Sequence, residues 1–148
     1  MIFSLLSPFL RQASMNLGVQ VQDTAQAEAV MRGFNPHALI GSENGRAVMI
    51  EDVSDPDGRM YRMEYQSTGD GRKAVAFCRH NPWGKVNAGV SLSEGHVASD
   101  GLLCMGSAHS YSRDPARSRY DLAFVIQRGR YWCTAFSVLK ETGRFPQP

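Results

Sequence analysis

Between residues 46 and 78 apolar and polar positions alternate in short runs separated by turn sequences. RAVMIEDV (46–53) follows Asn44-Gly45. RMYRMEYQ (59–66) sets Met60, Arg62 and Glu64 against Tyr61, Met63 and Tyr65, and KAVAFC (73–78) is the third run. A period of two marks a strand with one buried face. DPDG (55–58) and TGDG (68–71) are tight-turn sequences, so the runs are expected to pair as an antiparallel meander. VSLS (90–93) supplies a fourth short strand-like run.

Two segments fall outside this pattern. DTAQAEAVMR (23–32) reads as a helix, with Asp23 as cap, Gln26 three residues later, and Gly33 and Pro36 as stop signals. YDLAFVIQRGRYWCTAFSVLKETGRF (120–145) supports two readings. As a helix, Tyr120, Ala123, Phe124, Gln127, Tyr131, Ala135, Val138 and Leu139 share a face. As a hairpin, LAFVIQ and YWCTAFSV flank an Arg-Gly-Arg turn, and Gly129 is unfavourable inside a helix. The expected class is α+β: an N-terminal helix, an antiparallel meander of three to four strands, and a helical or hairpin C-terminal segment. Residues 1–22 read as an N-terminal extension and 23–148 as one domain.

A chain of 148 residues can bury a core without disulfides or metal. Three cysteines at irregular spacing, Cys78, Cys104 and Cys133, argue against a disulfide framework and for a reducing compartment. The opening MIFSLLSPFL lacks a basic n-region and a cleavage site, so a cytoplasmic protein is expected. No apolar run reaches the ~18 residues of a membrane helix. Charge is unevenly placed. Residues 1–70 hold 5 Lys/Arg and 9 Asp/Glu, whereas 71–148 hold 11 and 5. The second half therefore suits an acidic partner, with Arg113, Arg117, Arg119, Arg128 and Arg130 as candidate partner-binding residues. RDPARSRY and RGRYW also interleave Arg with aromatic residues, a pattern compatible with nucleic acid. No RNA- or DNA-binding motif accompanies them.

The candidate chemistry lies in HVASDGLLCMGSAHS (96–110). Cys104 can be read as a nucleophile, as a metal ligand or as a small buried hydrophobe. As a nucleophile it would have His96 and His109 as helpers and Asp100 as an orienting or deprotonating group. A cysteine hydrolase would draw its base from His37, His80, His96 or His109, and nothing selects one. Cys78, His80, His96, Cys104 and His109 are potential metal ligands, but the only close pair, Cys78-Arg79-His80, lacks the usual knuckle spacing. No metal or cofactor is expected.

Helix, meander, Pro-bearing connector, short strand and then Gly101-Leu102-Leu103-Cys104-Met105 resemble the ubiquitin-conjugating family, its divergent prokaryotic members above all. His96 stands eight residues before the cysteine, where those members tend to carry a histidine, and NPWG (81–84) matches the family's proline-containing stretch. The His-Pro-Asn triplet of eukaryotic members is replaced by Gly95-His96-Val97. The resemblance implies a ubiquitin-conjugating-like fold and a thioester on Cys104. It implies a ubiquitin-like protein and its activating enzyme as partners. His96 would then shape the loop, and Asp100 or His109 would assist an incoming amine. A non-catalytic relative of the same fold, binding through its basic half, is the alternative.

Overall fold

The alternating runs form a four-stranded antiparallel sheet in sequential order: β1 (Leu39–Glu43), β2 (Arg46–Ser54), β3 (Met60–Thr68) and β4 (Ala74–His80). The computed structural model describes residues 23–85, 87–106 and 112–146. Helix α1 (Ala25–Phe34) precedes the sheet, a single turn α2 (Leu92–Gly95) follows it, and α3 (Leu122–Thr142) is the last element. The protein is thus α+β, with an N-terminal helix, a four-strand meander and a C-terminal helix.

Several expectations are corrected. α1 starts at Ala25 and continues through Gly33 to Phe34. Thr24 occupies the N-cap position without capping the backbone, while the Asp23 carboxylate accepts from the Ala25 N–H at 2.9 Å. β1 was not anticipated, because Leu39–Glu43 is short and contains a glycine. Its signal was Asn44-Gly45, whose φ values of 53° and 76° make the left-handed turn that closes a two-residue hairpin. VSLS is not a strand. Ser91 caps α2, its hydroxyl accepting from the Glu94 N–H while the Glu94 side chain accepts from the Ser91 N–H. Ser-x-x-Glu is a helix-start signature, and it prevails over the apparent alternation.

The period of two decides the core. Tyr61, Met63 and Tyr65 on β3 are fully buried against the helices, as are Met49 on β2 and Ala76 and Cys78 on β4. Ala27 and Met31 of α1 and Leu122, Val125, Ile126, Cys133 and Phe136 of α3 complete this layer. Trp132 packs edge-on to Tyr61, with ring centroids 5.8 Å apart. A smaller cluster, Val75, Phe77 and Leu102, lies on a separate patch.

Two buried polar knots tie α3 to the sheet. Glu51 accepts from Arg130 at 2.8 and 3.0 Å and from the Tyr65 hydroxyl at 3.0 Å. Burial raises the Glu51 carboxyl, but Arg130, Asn35 and Tyr65 outweigh it and hold the pKa below its ordinary value. In the second knot the Asp55 carboxylate accepts from Ser137 at 2.6 Å and from Arg59 at 2.7 Å. Ser137 also meets the Tyr61 hydroxyl at 2.6 Å, which accepts from Trp83 Nε1 at 3.1 Å. Burial pushes Asp55 up, yet the Ser137, Arg59 and backbone donors bring its pKa down to about 2.

The ambiguity at Gly129 has a steric answer. A Cβ there would stand 2.8 Å from the Tyr65 ring and 3.1 Å from its hydroxyl. Glycine is kept for the close approach of α3 to β3, not to break the helix. On helix propensity alone Gly129→Ala would add about 1 kcal/mol; the clash is expected to reverse the sign and destabilise by about 1–3 kcal/mol, read by urea unfolding. Asp55 gives a second prediction. A carboxyl whose pKa is depressed in the folded state stabilises above its unfolded pKa, and that stability is lost as pH falls through the folded value of about 2. The urea midpoint should therefore fall steeply below about pH 4. Asp55→Asn should be less stable at neutral pH and show a shallower acid dependence.

Candidate functional site

β4 has β3 on one side only, so its other edge carries unpaired backbone groups. Residues 96–104 supply their partners. The Cys78 N–H donates to the Gly101 carbonyl at 2.8 Å, and the Leu103 N–H donates to the Ala76 carbonyl at 2.9 Å. The segment also folds on itself. Ala98 N–H donates to Leu102 O and Cys104 N–H to His96 O, both at 2.9 Å. The hairpin turns at Ser99-Asp100-Gly101, where Gly101 has φ 94° and the Gly101 N–H donates to Ala98 O at 2.9 Å. Asp100 Oδ1 accepts from the Leu102 N–H at 3.2 Å and fixes the turn.

Alternation through this hairpin sets the place of each side chain. Leu102 joins Val75 and Phe77, whereas Leu103 enters the main core. Cys104 then emerges half-buried at the rim, its thiol donating to the Gly106 carbonyl at 3.2 Å. The other two thiols are core residues. Burial pushes the Cys78 thiol up to about 12, and it raises Cys133 as well.

His96 is brought beside Cys104 from the end of α2. It is the C-cap of that turn, with φ 55°, a left-handed conformation that histidine adopts more readily than most residues. Its ring lies 4.5 Å, centroid to centroid, from that of Phe145. Trp132 Nε1 donates to the preceding Gly95 carbonyl at 2.8 Å, anchoring this corner to α3. His96 and Cys104 line one cavity of about 220 Å³, with Leu103, Met105 and Gly106 from the hairpin side. Arg128, Tyr131 and Trp132 come from α3, and Phe145 and Pro146 from the segment after it. The Arg128 guanidinium sits 5.7 Å from the Tyr131 ring centroid. A thiol, an imidazole and a guanidinium at one small, largely apolar opening can hold a nucleophile beside groups able to position an acyl carbonyl.

The remaining predicted residues are dispersed. Asp100 sits at the hairpin turn, pairs with Arg113 and does not line the cavity. Burial raises its carboxyl, but Arg113 and the Leu102 N–H prevail and leave it below the usual range. An ion-paired, low-pKa carboxylate is a weak proton acceptor, so the amine-deprotonating role expected for Asp100 has no support in this geometry. His109 lies outside the described residues. Arg117 and Arg119 are exposed. Arg130 is held by Glu51 and by the Phe34 carbonyl at 3.2 Å, which makes it a strut between α3, β2 and α1 and not a surface contact. Tyr131, Trp132 and Phe145 were not anticipated as part of the site. The signal for Tyr131 was its i, i+3 spacing from Arg128, which is informative only once 122–142 is a helix.

Among the described residues no three His, Cys, Asp or Glu side chains converge as a metal site, and no helix is long and apolar enough to cross a membrane. No protein-family model, curated protein or solved structure matches the chain.

Proposed function

We propose that the protein is a ubiquitin-conjugating-like acyl carrier that uses Cys104. The observation that carries this reading is the placement of the thiol. Of three free cysteines only Cys104 is partly exposed, and it stands at a cavity with His96, on the hairpin that follows a helix, a four-strand meander and α2. Helix, meander, cysteine-bearing hairpin and long helix follow in the order that the resemblance to ubiquitin-conjugating enzymes implies.

The reaction is a pair of acyl transfers. The Cys104 thiolate attacks the C-terminal carbonyl of a ubiquitin-like protein held as a thioester on its activating enzyme. The activating enzyme's thiolate leaves, and the acyl group is carried on Cys104. An amine then attacks the new thioester, Cys104 departs as thiolate, and the amine gives up a proton to solvent or to a nearby base. Since a thioester is already activated, the protein's task is to hold the carbonyl and the approaching amine in line. His96 shapes the Cys104 corner through its carbonyl bond to the Cys104 N–H. The Arg128 guanidinium is the charged donor at the cavity for a developing oxyanion. Exposed Arg117 and Arg119 support docking of an acidic face of the partner.

The alternative, a non-catalytic binding module of the same fold, draws on those exposed arginines alone and leaves the thiol without a task. One experiment separates the two. Incubation with a ubiquitin-like protein bearing a C-terminal glycyl thioester should transfer it to the wild-type chain as an adduct cleaved by added thiol. Cys104→Ala should form none. Cys104→Ser should form, at far lower rate, an oxygen ester that thiol does not cleave. A thiol-labile adduct of undiminished yield in Cys104→Ala, or no adduct on the wild-type chain, would reject the carrier reading.

A further inference from the structure

We infer that the segment after α3 is a strap that restricts access to Cys104, and that it must open for an acyl donor to reach the thiol. The inference concerns regulation of the site described above, but it rests on the geometry of the cavity and holds whatever acyl group is carried.

α3 ends at Gly143, whose φ of 80° turns the chain back, with the Gly143 N–H donating to the Leu139 carbonyl at 2.7 Å. The Thr142 hydroxyl accepts from the Arg144 N–H at 3.2 Å and fixes the direction of the return. The strap then crosses toward α2. Phe145 packs against the His96 ring, and the Tyr131 hydroxyl donates to the Pro146 carbonyl at 3.2 Å. Both Phe145 and Pro146 form part of the wall of the cavity that holds Cys104.

The strap is attached in a way that allows release. Among the described residues, 144–146 make no backbone–backbone hydrogen bond to the sheet or to the hairpin. Pro146 has no N–H to offer one. At its far end the strap is held by side chains: Phe145 meets the His96 ring and packs on the edge of the main core, and the Tyr131 hydroxyl bonds the Pro146 carbonyl. No side chain would meet a Cβ at Gly143 within 4 Å, so the hinge has open space around it. The body beneath is built differently. Trp132 Nε1 is bonded to Gly95 O, and the hairpin is bonded to β4, so opening the strap leaves the Cys104 corner in place.

The contact on His96 gives the strap a second consequence. The Phe145 ring, tilted 59° to the imidazole, occupies the space beside His96 while the strap is down. Opening therefore frees the Cys104 rim and the His96 ring together.

The test is the rate at which iodoacetamide alkylates Cys104 in the full chain, followed by peptide mass spectrometry, with buried Cys78 and Cys133 as internal markers of an intact fold. Tyr131→Phe removes the bond to Pro146 while keeping the ring, and Phe145→Ala removes the contact on His96. Alkylation of Cys104 is expected to rise about 3-fold in the first variant and at least 10-fold in the second, with Cys78 and Cys133 still protected. Tyr131→Phe settles the question by itself if Phe145→Ala exposes the core thiols. A Cys104 rate within 2-fold of wild type in Tyr131→Phe would overturn the strap, as would wild-type Cys104 reacting as fast as an unfolded thiol. A strap that opens on a thiol accepting no acyl group would leave this inference standing and reject the carrier function instead.

Discussion

The free edge of β4 is the constraint on which the site depends. An edge strand left open costs unpaired backbone groups and invites association with other chains. Here the edge is met by a hairpin whose two contacts, Cys78 N–H to Gly101 O and Leu103 N–H to Ala76 O, fix its register. Once the register is fixed, little freedom remains. Leu102 and Leu103 are sent into two different apolar clusters, and the next residue reaches the rim. Shifting the pairing by one residue would exchange these faces and bury the thiol. The exposure of Cys104 is thus a consequence of sheet geometry, and the turn chemistry of Asp100 and Gly101 makes that geometry reachable.

Ion pairs decide what the basic half of the chain can present: Arg130 is held by the buried Glu51, and Arg113 pairs with Asp100 at the surface. The Glu51 and Asp55 knots also join α3 to the sheet from two directions. Because α3 carries Arg128, Tyr131 and Trp132, these knots hold one wall of the cavity in place. Stability and site geometry share the same helix, and at Gly129 that helix packs closely on the Tyr65 ring of β3.

Much of the fold was legible because a period of two is a strong signal. Tyr61, Met63 and Tyr65 face the core as their alternation implies. The misses have local causes. Asn44-Gly45 was read as a turn before the 46–53 run without a strand on its other side, where it closes a hairpin onto β1, and Ser91–Glu94 was a capping box beneath a strand-like run. The helix at 122–142 was undecided because Gly129 weighs against it until the Tyr65 ring is known to be there. The site was legible only in part. Cys104 and His96 were named from one short stretch, and they do share a cavity. Arg128 was taken for a surface contact, and Tyr131 and Phe145 were passed over, because residues 24 to 41 positions beyond Cys104 reach it through the packing of α3. Charge counts assigned Arg130 to a partner because Glu51, its buried ligand, lies 79 residues earlier.

The most direct test of this account is amide hydrogen exchange of the native chain, resolved at Cys78, Leu103 and Cys104. If docking of the hairpin on β4 fixes the thiol, these three amides should exchange as slowly as those in the centre of β3. Exchange at the rate of an open loop would mean that the hairpin is not held to the sheet, and the placement of Cys104 would lose its physical basis.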